Sequence, residues 1–63
     1  MLEFNKILEM DFTKASVRDL NEAVVRLKKA QWKEYTTRGN TARSQMLFKR
    51  FEEAEKEIDR RLK

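Results

Sequence analysis

The chain has no proline and a single glycine, Gly39, in 63 residues. Turn-rich β folds need several residues that accept positive φ or preset a tight turn. A sandwich or barrel is therefore excluded, and the chain must be built from elements that need few turns. Ala, Leu, Glu, Lys, Arg, Met and Gln dominate it, and these are the strongest helix formers. Its length allows one domain at most. The fold class that follows is all-α, with a single helical domain over 1–63.

The one strong interruption is Thr36-Thr37-Arg38-Gly39-Asn40. Two β-branched residues weaken a helix there, and Gly39 can supply a left-handed C-cap. The spacing predicts a first long helix over 16–35. Ser16 is its natural N-cap, with Asp19 as a capping-box partner. Thr13 is the rival cap, in which case Phe12 and Val17 would form a hydrophobic staple. Val17, Leu20, Val24 and Leu27 recur at helical spacing, with Ala23 and Ala30 on the same face. A second long helix is predicted over 41–61, capped by Asn40 or Thr41. Leu47, Phe51, Ala54, Ile58 and Leu62 form its apolar stripe, which Phe48 widens. Tyr35 and the Phe48–Phe51 pair read as core. Glu52 with Lys56, and Glu57 with Arg61, stand in the favourable i,i+4 order. Arg60, Arg61 and Lys63 suit the negative end of the helix dipole.

Each long helix would span about 30 Å. Equal lengths and a short connection predict an antiparallel helical hairpin. In residues 1–12, Phe4, Ile7 and Leu8 are spaced for a helix, whereas Leu8, Met10 and Phe12 alternate like a strand. A lone strand has no partner here, so a short N-terminal helix or turn is expected, packed across the hairpin against Val25 and Trp32. A domain of this size buries only about 60% of its unfolded surface. Dimerisation into a bundle is the expected way to cover the rest of the apolar stripe.

The chain has no cysteine and no histidine, which removes disulfides, the usual zinc sites, and thiol or imidazole catalysis. One glycine cannot build a phosphate loop. Glu52, Glu53, Glu55, Glu57 and Asp59 lack calcium-loop spacing and read as a solvated helix face. The expectation is a non-enzyme without metal, cofactor or small-molecule substrate. No apolar stretch is long enough to span a membrane, and the N-terminus does not resemble a signal peptide. A cytoplasmic location is the default.

Charge is segregated along the chain. Residues 1–12 carry a net −2, residues 13–50 a net +7, and residues 51–63 a net −1. Arg26, Lys29 and Lys33 fall on one stripe of the first long helix, away from its core face. Arg38 and Arg43 would cluster at the hairpin elbow, with Trp32 and Tyr35 nearby. Cations that meet phosphates and rings that stack on bases are what a nucleic-acid surface needs. The candidate site is therefore Arg26, Lys29, Trp32, Lys33, Arg38 and Arg43, and the expected partner is DNA or RNA. The same cations also suit a purely solubilising face, and Trp32 with Val25 also suits burial beneath the N-terminal segment. The alternative function is a protein-interaction module, an adaptor, inhibitor or assembly subunit, acting through apolar surface around Trp32 and Met46. Its partner would be another protein or a second copy. A helix-turn-helix reader fits less well, because its helices are usually short and steeply crossed.

Overall fold

The computed structural model describes residues 3–62. It contains three helices: α1 (Phe4–Glu9), α2 (Val17–Arg38) and α3 (Ala42–Leu62). No strand occurs among the described residues. The two long helices pack against each other as an antiparallel hairpin, and α1 settles into one of its grooves.

The start of α2 follows the sequence. Ser16 is the N-cap, and its Oγ accepts a hydrogen bond from the Asp19 backbone N–H at 3.1 Å. Thr13 does not cap, and no staple with Val17 forms. Phe12 is buried, and its ring lies under the Arg50 guanidinium at 4.2 Å. The other end of α2 corrects the expected boundary. The helix runs through Thr36 and Thr37 to Arg38. Thr36 donates its hydroxyl to the carbonyls of Trp32 and Lys33, so the threonine is absorbed into the helix rather than ending it. Gly39 makes the stop, with its N–H bonded to the Tyr35 carbonyl, but at φ 83° and ψ −158° it lies outside the left-handed helical region expected of it. Thr41, not Asn40, caps α3: its Oγ1 accepts from the Ser44 N–H at 3.1 Å. The same hydroxyl donates to the Glu34 carboxylate at 2.9 Å, which ties the turn back to α2.

The core is formed by Ile7, Phe12, Leu20, Ala23, Leu27, Leu47 and Ala54. Val24, Ala30, Phe51 and Ile58 pack against it half-buried. Four residues assigned to the core stripes are exposed instead: Val17, Tyr35, Phe48 and Leu62. The hairpin has only two long helices, so each apolar stripe is covered along its centre and open along one edge.

The N-terminal element is a helix, as one of the two expected forms, but it does not cover Val25 and Trp32, both of which are exposed. Two arginines of α3 decide its position. Arg50 Nη2 donates to the Ile7 carbonyl at 3.1 Å and the Met10 carbonyl at 2.8 Å. Arg61 Nη2 donates to the carbonyls of Phe12 and Thr13, each at 3.1 Å. These carbonyls end α1 or follow it, where the helical ladder runs out; the Ile7 carbonyl also takes the Met10 N–H at 3.4 Å. Arg61 therefore holds a loop as well as sitting near its own helix end. Lys63 lies outside the described residues. The acidic face of α3 also has one exception to its expected solvation. Glu57 is buried, and its carboxylate accepts hydrogen bonds from both Arg60 and Arg61. These bonds, from Arg60 first and Arg61 second, hold its pKa down from 4.5 to about 2.

Candidate nucleic-acid interface

The hairpin turns a segregation along the sequence into one across the molecule. Residues 25–50 form the elbow end: the second half of α2, the turn and the first half of α3. They carry eight basic groups against Glu34 alone, a net +7. The opposite end, residues 1–24 with 51–63, carries a net −3. The molecule extends 35 × 25 × 15 Å, so the two poles lie apart along its longest dimension.

At the elbow, Lys33, Arg38 and Arg43 border one groove of about 240 Å³, together with Ala30, Glu34, Thr37 and Leu47. The last turn of α2 supplies Arg38 because Gly39 lets that helix run so far. Arg43 comes from the first turn of α3, whose start is fixed by the Thr41 cap. Glu34 is the one carboxylate in the groove, and its Oε2 accepts the Thr41 hydroxyl. None of Lys33, Arg38 and Arg43 makes an ion pair among the described residues.

Trp32 is 65% exposed, so the expectation that it is buried with Val25 does not hold. It lines a shallow groove of about 530 Å³ with Val24, Val25, Lys28 and Lys29. Lys29 belongs to the sequence-derived stripe. Lys28 does not, because stepping at 100° per residue from Arg26 places it on the far side of Trp32. The adjacent pair Lys28-Lys29 was the signal that could have found it. Tyr35 is exposed as well but does not line either groove.

Arg26 is used differently from the other five candidates. Its Nη1 stands 3.8 Å from the Glu22 carboxylate, and its guanidinium lies over the Phe4 ring, 6.0 Å from the centroid. It therefore helps seat α1. The site thus resolves into two parts on the elbow half: a cationic groove of Lys33, Arg38 and Arg43, and an aromatic groove of Trp32 with Lys28 and Lys29. Met46 is exposed but lies outside the Trp32 groove.

A third depression, of about 390 Å³, lies between the N-terminal segment and α3. Its arginines and carboxylates are bound to one another or to backbone, as Arg50 with Glu53 at 3.0 Å and Arg60 with Glu57. It reads as structural. Among the described residues, no three carboxylates converge in a way that could hold a metal ion, and no helix is long and apolar enough to cross a membrane. Comparison with known protein families, curated proteins and solved structures finds no match to this chain.

Proposed function

We propose that this chain is a non-catalytic accessory that binds nucleic acid with its elbow end. The observation that carries the reading is the gathering of Lys33, Arg38 and Arg43 around one groove, at the end of the molecule whose net charge is +7. Clustered cations that face solvent attract a phosphate backbone and release its condensed counterions. Trp32 adds a second kind of contact. An exposed ring flanked by Lys28 and Lys29 can stack on an unpaired base while the ammonium groups meet the adjoining phosphates.

A gel-shift titration near 50 mM salt, with duplex and single-stranded probes, tests this reading. Retardation of either probe at micromolar protein is expected. Trp32→Ala should weaken single-strand binding by about 1–3 kcal/mol while the helix content holds, because the ring is already exposed. No retardation of either probe at high micromolar protein would refute the proposal. The second reading is then the protein-interaction module. It is favoured by the exposure of Val25 beside Trp32, since exposed aromatics are enriched among interface anchors.

A further inference from the structure

α1 fills only one of the two grooves that a pair of antiparallel helices presents. It is held on the flank marked by Arg26 of α2 and by Arg50 and Arg61 of α3. At 3.6 residues per turn, Val17, Val24 and Tyr35 fall on the other flank of α2. Phe48, Phe51 and Leu62 fall on the other flank of α3. The hydrogen bond from Gln31 Nε2 to Ser44 Oγ, at 3.5 Å, crosses between those two rows. The Phe48 and Phe51 rings lie tilted by 43° to each other there, with centroids 6.3 Å apart. Phe48 is 47% exposed and Leu62 80% exposed, so the described residues leave this groove open.

We propose that a second copy of the chain covers this groove, stacked so that each elbow lies over the other copy's open end. Two observations select that occupant. The first is area. The molecule exposes 4928 Å², whereas a compact monomer of 7.6 kDa exposes roughly 4,300 Å². The excess, about 600 Å², approaches the roughly 800 Å² that each partner contributes to a standard interface. The second is charge. The elbow half carries +7 and the open half −3. Stacking elbow on elbow sets like poles together, whereas the reversed stack sets opposite poles together. A two-fold axis across the helices gives that reversed stack and closes the assembly at two copies. At the same stepping Lys33 and Arg43 fall on the opposite flank, with Arg26 and Arg50, so the cationic groove they border with Arg38 stays accessible in the dimer. Phosphate binding by that elbow is therefore tested apart from the dimer, whereas the Trp32 groove shares Val24 with the covered flank.

Sedimentation equilibrium without nucleic acid, between about 5 and about 500 µM protein, is the first test, because association follows mass action. The mass should climb from 7.6 kDa towards twice that value. Phe48→Glu should return the monomer mass without loss of helix, because Phe48 is largely outside the core. A spin label reports the orientation. The chain has no cysteine, so Asn40→Cys places one label at each elbow. The reversed stack sets the two labels apart by a distance comparable to the 35 Å length of the molecule. A wild-type mass that stays at 7.6 kDa, a dimer that survives Phe48→Glu, or labels that sit close together would each overturn the proposal.

Discussion

Gly39 holds φ 83° and ψ −158°, a backbone region that residues with a Cβ essentially never occupy. The space around it is open, and a Cβ built there would meet nothing within 4 Å. The cost of Gly39→Ala is therefore backbone strain alone, about 1–3 kcal/mol. Urea denaturation should show a lower midpoint with an unchanged slope. An alanine accepted at no cost would mean that the turn does not depend on glycine. The need for Gly39 was legible in the sequence because no other residue in the chain could play that part. The exposure of Trp32 was not. On α2 alone, Val25 and Trp32 look like a second apolar edge, and nothing local says whether another element covers it. That choice rests with Arg50, on a different helix and 40 residues from the Met10 carbonyl it binds.

Both long helices begin where their caps direct, at Ser16 and Thr41, because a capping hydroxyl acts within three residues of itself. Their ends were less legible. The helix penalty of Thr36 and Thr37 is a fraction of a kcal/mol each, too small to stop a helix that packs along its length. The docking of α1 shows the same limit more strongly. Sequence spacing singles out no role for Arg50 and pairs Arg61 only with Glu57 and its own helix end, yet both are held by backbone carbonyls of the N-terminal segment. Arg50→Ala should destabilise the fold by about 2 kcal/mol, since it removes charge-assisted bonds to two helix-end carbonyls. Arg50→Lys should recover only part of the loss, because an ammonium lacks the planar fork. Amide exchange in residues 4–10 reads the effect locally: α1 should open before α2 and α3 do. An α1 that stays as protected as the rest in Arg50→Ala would contradict this assignment.

Glu57 links α3 to acid stability. Its pKa is depressed in the fold, from 4.5 to about 2. The stabilisation is thus complete above pH 4.5 and lost as pH falls from there towards 2. Asp11 shifts in the same direction, chiefly because the Thr13 hydroxyl donates to its carboxylate. The thermal midpoint should fall across that acid window and stay level above it. Glu57→Gln should flatten the fall. A midpoint that does not respond to acid in the wild type would argue against the buried pairing.

Over the whole molecule, the hairpin was legible because two capped, periodic segments of equal length leave few other arrangements. The charge segregation was legible too, and the fold turned it into two poles. The grooves that now define the candidate site were not. Lys33 and Arg38 lie on α2 and Arg43 on α3, and only the end of α2 at Arg38 and the Thr41 cap bring them to one groove. The Trp32 groove depends on α1 docking elsewhere. The most direct test of the cationic elbow is the salt dependence of duplex binding, measured by fluorescence anisotropy for the wild type and for a variant with Lys33, Arg38 and Arg43 all changed to Ala. With about four phosphates neutralised, wild-type affinity should drop about a hundredfold between 50 and 200 mM salt. The variant should bind more weakly at low salt, and its logarithmic salt slope should be shallower by about three. Equal slopes for the two proteins, with helix content unchanged, would contradict a phosphate-binding elbow.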